Sequence, residues 1–290
     1  MAIIFSYILV VLIWGSSWIT ISYQYGTVPD ELSVSYRFFI ASMCLFALKI
    51  FKKEKITIEK SNYSMIILMG ATMFCFNYLF TYYGMHYVAS GLAAILFSLM
   101  VVFNAFFERI FFDSKIERRI VLAAIVGVIG LTLLFWYDLE SYVDTDERII
   151  GILWLLVAVV ISSLGNMTAI VNIKRNIPIV TANAHAMLWG AIISFLLALI
   201  LGKPMVFETE ITYVVSLLYL SIAASALTFG CYLMLIKEIG STRTAYTTLL
   251  FPIVALVIST AVGEYKWALH SFFGVVLILY GTWLALPKKN

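Results

Sequence analysis

Between Ile3 and Leu286 the sequence is one apolar run after another, ten in all, each 18 to 26 residues long. The runs are Ile3–Tyr23, Leu32–Phe51, Tyr63–Met85, Val88–Phe112, Ile120–Tyr137, Ile149–Ile173, Ile179–Leu201, Ile211–Ile236, Ser241–Val262 and Trp267–Leu286. A helix of about 20 residues, rising 1.5 Å per residue, crosses the hydrocarbon core of a bilayer. The runs do not alternate apolar and polar residues, which argues against the ten-residue strands of a membrane barrel. Charged residues make up only 12% of the chain, against about 25% in a soluble domain. No soluble fold could bury this much apolar surface. The sequence therefore predicts an all-α integral membrane protein with ten transmembrane helices and little mass outside the bilayer.

Short connections make consecutive helices antiparallel neighbours. Lysine and arginine set the orientation. With the N-terminus in the cytoplasm, fifteen of them fall on the inner side, among them Lys49, Lys52, Lys53, Arg118, Arg119, Lys174 and Arg243. Three fall outside (Arg148, Lys203 and Lys266), and Arg37 is left within the second run. Both termini are then cytoplasmic, as an even helix number requires. The expected location is the plasma (inner) membrane of a bacterium.

The run from Val88 to Phe112 has an echo 151 positions later. Ser90 falls on Ser241, Ala94 on Ala245, Leu99 on Leu250, Asp113 on Glu264, Lys115 on Lys266 and Gly130 on Gly281. The shared order, rather than the few identities, points to an internal duplication. The expected division is a first five-helix repeat over residues 1–137, an extracytoplasmic linker over 138–148 and a second repeat over 149–290. A repeat with an odd number of helices inserts its second copy upside down, as in many secondary transporters.

Several function classes have no footprint. Cys44, Cys75 and Cys231 each lie inside an apolar run without metal-ligand or CxxC spacing. No HExxH or GxSxG motif, nucleotide-binding motif, basic nucleic-acid patch or cleavable signal peptide is evident. An intramembrane enzyme would need a nucleophile and base at membrane depth, and Arg37 with His185 does not make such a set. A receptor or a channel is the remaining rival.

Trp14-Gly15-Ser16-Ser17 in the first run, Pro29 with Arg37-Phe38 in the second, and Asn77-Tyr78 with Tyr82-Tyr83-Gly84 in the third form a recurring kind of pattern. Tyr87 to Ala94 then opens the fourth run, Ile239-Gly240-Ser241 precedes the ninth and Gly263-Glu264 follows it. Taken together, these resemble the drug/metabolite transporter superfamily, in particular its EamA-type ten-helix members. Phe112-Asp113 departs from the Gly-Glu usual in that family's first half. The resemblance covers the whole chain. It implies two inverted repeats around a central cavity and alternating-access transport of a small metabolite, without naming the substrate.

Ionisable groups within a span are costly and are the first candidates for a pathway. Arg37 would hold a carboxylate or phosphate, or else snorkel to the outer interface. His185, in the seventh run, is a ligand or a hydrogen-bonded packing residue. Glu108 and Arg109 read as interfacial. No Asp or Glu lies near a span centre, which argues against bound cations as the main substrates. Uncharged polar groups do gather at mid-span: Ser16, Ser17 and Thr20; Asn77, Tyr78 and Thr81; Ser162, Ser163 and Asn166; Ser225, Thr228 and Tyr232; Tyr246, Thr247 and Thr248. Asn77 and Asn166 stand out, because an amide facing lipid is expensive. Trp14, Trp189 and Tyr82 are candidate aromatic walls, and Pro252 a candidate hinge in the ninth run. The substrate-binding set expected from the sequence is thus Trp14, Ser17, Arg37, Asn77, Tyr78, Tyr82, Asn166, His185, Tyr232 and Tyr246. The expected ligand is a small polar or zwitterionic metabolite, with amino acids or their derivatives leading. No metal, cofactor or nucleic acid is expected, membrane lipid is the surrounding partner, and a monomer is the working expectation.

Overall fold

The computed structural model describes residues 2–88, 93, 96–134, 136, 145–261 and 268–285. Residues 89–92, Ala94, residues 138–144 of the expected linker, Gly263-Glu264 and Lys266 lie outside the described residues. Every regular element among the described residues is helical: α1 (Ala2–Ser22), α2 (Asp30–Phe51), α3 (Lys60–Met85), α4 (Met100–Phe112), α5 (Arg118–Leu134), α6 (Thr145–Lys174), α7 (Ile179–Ile200), α8 (Ile211–Ile239), α9 (Ser241–Ala245 continuing as Thr247–Ala261) and α10 (Leu269–Ala285). Helices satisfy their own backbone hydrogen bonds, which lipid cannot do for them. Six of them (α1, α2, α3, α6, α7 and α8) contain spans long and apolar enough to cross a membrane.

Local chemistry ends the helices where the polar breaks predict. Pro29 precedes α2 and Pro178 precedes α7, each at a fixed φ and without an N–H to leave unpaired. Asp113 closes α4 in the left-handed region, at φ 53°, and Asn176 follows α6 at φ 56°. Gly240 joins α8 to α9 at φ 87°, a conformation L side chains avoid, so the chain turns sharply there.

Each helix has two apolar faces of different fate. On α2, Leu32, Val34, Phe38, Ala41 and Leu45 are buried, while Phe39, Leu48, Ile50 and Phe51 are exposed. In water such an outward apolar belt would be a liability; in a bilayer it faces acyl chains. The principal pairings are α2 with α7, α5 with α10, α1 with α8 and α9, α6 with α3 and α4, α3 with α7, and α2 with α8. Glycines permit the closest approaches. A Cβ on Gly274 of α10 would lie 2.6 Å from the Gly130 carbonyl of α5, and one on Gly70 of α3 would lie 2.5 Å from the Ala186 carbonyl of α7.

α3 and α8 share an irregularity. α3 passes through a π-helical turn at Gly70–Phe76, and α8 does so at Ile222–Leu227. A shift of 151 positions lays the first segment on residues 221–227, so the two π turns coincide within one residue. Such turns insert one residue and misalign the backbone ladder.

Candidate functional site

At mid-depth, α1, α3, α4, α6, α8 and α9 surround a cavity of about 70 Å³. α1 contributes Trp14, Ser17, Trp18 and Ile21, and α3 contributes Met73, Asn77, Tyr78 and Thr81. Phe97 and Met100, Ser162 and Asn166, Phe229 and Tyr232, and Thr248 and Phe251 complete the lining. Among the described residues, no acid or base lines it. The walls are aromatic rings, with a few amides and hydroxyls to orient a ligand, as in small-molecule sites generally.

Trp14 organises one wall. Its ring meets Phe229 at 4.9 Å, Tyr232 at 4.8 Å and Phe251 at 5.5 Å between centroids. Its indole N–H donates to a carbonyl of the α8 π turn, that of Ala224. Ser17 donates to its own backbone at Trp14, and Thr248 to Ala245, the local bonding usual for hydroxyls in membrane helices.

The amides differ from each other. Asn166 Nδ2 lies 3.1 Å from both Asn104 Oδ1 and the Tyr232 hydroxyl, and 3.6 Å from Met100 Sδ. Asn77 Nδ2 reaches only the Met73 carbonyl, at 3.5 Å, and its Oδ1 has no hydrogen-bond partner. A buried amide oxygen without a donor is expensive, and a ligand N–H or O–H would relieve it.

Six of the ten residues singled out from the sequence line the cavity: Trp14, Ser17, Asn77, Tyr78, Asn166 and Tyr232. Arg37, Tyr82, His185 and Tyr246 do not. Tyr246 is buried against α5 and donates to the Ile120 carbonyl at 2.5 Å. His185 faces the loop before α3, with Nε2 2.7 Å from the Ile56 carbonyl and its ring edge-on to Phe46 and Tyr63. Both hold helices and loops in place. Tyr82 is fully buried, edge-on to Tyr25 at 5.8 Å.

Arg37 does not snorkel; it is 1% exposed. Its Nε donates to Ser225 Oγ of the α8 π turn at 2.9 Å, and its guanidinium lies 4.5 Å from the ring centroid of Tyr78, a cavity residue. Its Nη1 has no hydrogen-bond partner, and among the described residues no carboxylate lies within ion-pair distance of it. The nearest acids along its helix, Asp30 and Glu31, have other partners: His86 at 2.8 Å for Asp30, and for Glu31 the Tyr83 hydroxyl at 2.5 Å and Lys203 at 3.6 Å. Sequence reasoning missed Trp18, Ile21, Met73, Phe97, Met100, Phe229 and Phe251, apolar residues indistinguishable from packing by type alone. It also missed Asn104, whose polar amide inside an apolar run was the available signal.

The EamA-like transporter family matches the chain twice, over residues 1–136 and 149–286. Protein PagO of Salmonella typhimurium (strain LT2) is 23% identical, covering 98% of this chain and 92% of its own length. The uncharacterized transporter YoaV of Bacillus subtilis (strain 168) is 23% identical, covering 95% and 93%. The uncharacterized inner membrane transporter YedA of Escherichia coli (strain K12) is 20% identical, covering 96% and 90%. A crystal structure of a protein 16% identical superposes with a TM-score of 0.80 over 97% of this chain and 95% of that one, which shows the fold alone. With apolar membrane-crossing helices, a mid-depth cavity and a match that runs through both halves, the chain belongs to the EamA-like transporter family.

Proposed function

We propose that this multi-pass membrane protein is a secondary carrier of the bacterial plasma membrane. It moves a small zwitterionic metabolite bearing a carboxylate, with amino acids and their derivatives as the leading class. The observation that carries this reading is the buried Arg37 charge behind the Tyr78 wall of an otherwise uncharged cavity. A carboxylate on the cavity side of that ring would lie roughly 8 Å from the guanidinium, an attraction of about 2 kcal/mol at an effective dielectric constant of about 20. A bare cation would be repelled by as much. Asn77 Oδ1 supplies an acceptor for the ammonium end of the same ligand.

Alternating access between two inverted five-helix halves is the mechanism this reading adopts. The helix pairings support it: exchanging α1–α5 with α6–α10 sends α1–α9 to α6–α4, α1–α8 to α6–α3 and α3–α7 to α8–α2, and leaves α2–α7 and α5–α10 unchanged. The coincident π turns and the double family match support it as well. Both termini are assigned to the cytoplasm on the lysine and arginine bias.

The test is exchange in proteoliposomes loaded with a labelled amino-acid mixture and challenged from outside with single unlabelled amino acids, with and without a pH gradient. Accelerated efflux with one or a few of them is the expected result. No acceleration with any, from protein shown to be folded, overturns the substrate class.

A further inference from the structure

We infer that Asn104 and Glu108 of α4 form the latch that closes the transport cavity toward the cytoplasm. This rests on the carrier reading above and adds the residues that control access to its site. Asn104 is fully buried one turn below Met100, and Glu108 lies one turn further along the same face. Both hold the start of α9. Asn104 Nδ2 donates to the Ser241 carbonyl at 3.3 Å. Glu108 accepts from the Ser241 hydroxyl, from the Thr242 hydroxyl at 2.7 Å and from the Thr242 N–H at 3.3 Å. A carboxylate is thus seated on the first turn of a helix it does not belong to, where free N–H groups and the helix dipole favour it.

The latch is joined to the cavity. Asn166, a cavity residue, donates to Asn104 Oδ1 with the same Nδ2 that reaches Tyr232. A continuous hydrogen-bonded line therefore runs from Tyr232 through Asn166 and Asn104 to Ser241 and Glu108. A ligand group that takes Asn166 away from Asn104 loosens the buried half of the latch and leaves the outer half, Glu108, to release α9. Beneath Glu108 a polar recess of about 190 Å³, lined by Lys115, Glu117, Thr242 and Arg243 among others, brings solvent up to the carboxylate. Release of α9 would join that recess to the cavity floor.

The device belongs to one half only. The 151-residue shift carries Asn104 onto Ala255 and Glu108 onto Ser259. α9 therefore offers neither an amide nor a carboxylate at the matching positions, and closure at the opposite face does not use this chemistry.

The test is side-specific cysteine labelling, which needs no substrate. Cys44, Cys75 and Cys231 are replaced by alanine and a reporter is placed in the cavity by Thr248→Cys. A membrane-impermeant maleimide is then applied to inside-out and right-side-out vesicles. Glu108→Ala and Asn104→Ala are expected to raise the labelling rate in inside-out vesicles at least fivefold and to lower it in right-side-out vesicles. Glu108→Gln, which keeps the size and one carbonyl acceptor, is expected to fall between these and the parent, and it carries the test if the alanine variants do not accumulate. Unchanged labelling from both faces in variants with a normal melting profile overturns the latch. A rise confined to right-side-out vesicles overturns its assignment to the cytoplasmic side. Amino-acid exchange plays no part in the readout, so failure of the substrate class and failure of the latch are separate results.

Discussion

The indole N–H of Trp14 and the carbonyl of Ala224 meet at 2.8 Å across 210 positions of chain. Ala224 belongs to the π turn of α8, and the neighbouring Ala223 carbonyl accepts from Thr228 Oγ1 at 2.7 Å. Two successive carbonyls of the turn thus accept from side chains. One residue of α1 both walls the cavity and pins the irregular turn behind it.

Trp14→Phe keeps a ring against Phe229, Tyr232 and Phe251 but removes the donor. A buried carbonyl that loses its partner costs about 1–3 kcal/mol. The expected result is protein that still inserts, unfolds at lower denaturant by that amount, and exchanges substrate several-fold more slowly. Denaturant titration alongside proteoliposome exchange measures both; an unchanged exchange rate would detach the π turn from transport.

Arg37 can be tested by charge alone. Arg37→Gln should raise the half-saturating substrate concentration about 30-fold, the equivalent of about 2 kcal/mol at 1.4 kcal/mol per factor of ten. Arg37→Lys keeps the charge but not the guanidinium over the Tyr78 ring, and should fall between Arg37→Gln and the parent. Half-saturation read from exchange at varied substrate decides it, and an unshifted value in Arg37→Gln removes the carboxylate argument.

The two cavity amides should separate stability from function. Asn77→Leu removes a group with one long hydrogen bond and an unsatisfied oxygen, so folding should be nearly unaffected while substrate affinity falls. Asn166→Leu strips a donor from both Asn104 and Tyr232, so stability and transport should fall together, the former by about 1–3 kcal/mol. Melting curves and exchange rates on the two variants give the comparison directly.

The contact between α5 and α10 should be intolerant of bulk. At Gly274 an added Cβ would sit 2.6 Å from both the Gly130 carbonyl and the Leu134 nitrogen. These are backbone atoms that cannot swing aside, so Gly274→Ala should cost about 1–3 kcal/mol and Gly274→Leu should prevent extraction of monodisperse protein. Size-exclusion chromatography after detergent extraction reports it.

A contrasting case lies in the loop after α4. Hydrogen bonding from Arg119, aided by the charges of Arg119 and Arg243, holds the Glu117 carboxyl below its usual range. Because the folded-state value is lowered, its contribution to stability is present at neutral pH and is lost as pH falls through that value. Glu117 is partly exposed, its side chain at 42%, so Glu117→Gln should cost no more than ~0.2–1 kcal/mol at neutral pH and nothing in acid. Thermal melts of parent and variant across pH 3 to 7 should converge at the acidic end.

The apolar helices were legible in the sequence because a bilayer admits so few solutions: Pro29 and Pro178 open helices, and the αL residues Asp113 and Asn176 follow helix ends, where polarity rises. The cavity was half legible. Asn77 and Asn166 announce themselves, since an amide cannot face lipid. Tyr246 and His185 look the same in sequence but spend their polar atoms on the backbone of Ile120 and Ile56. Which face a hydroxyl or ring presents depends on helix rotation, and the π turns at Gly70–Phe76 and Ile222–Leu227 reset that rotation without any marker in composition. Glu108 read as an interfacial charge because its partners, Ser241 and Thr242, lie more than 130 positions away.

The matched π turns of α3 and α8 also carry a chronology. A π turn arises when one residue is inserted into a helix. If the two halves are copies of one unit, a single insertion inherited by both explains why the turns agree in register, whereas two separate insertions would have to strike the same place twice. On the same premise, Asn104 and Glu108, which fall on Ala255 and Ser259 at the 151-residue shift, would record a later divergence. The π turns of the helices flanking the cavity would then be ancestral, and the difference between α4 and α9 at these positions more recent.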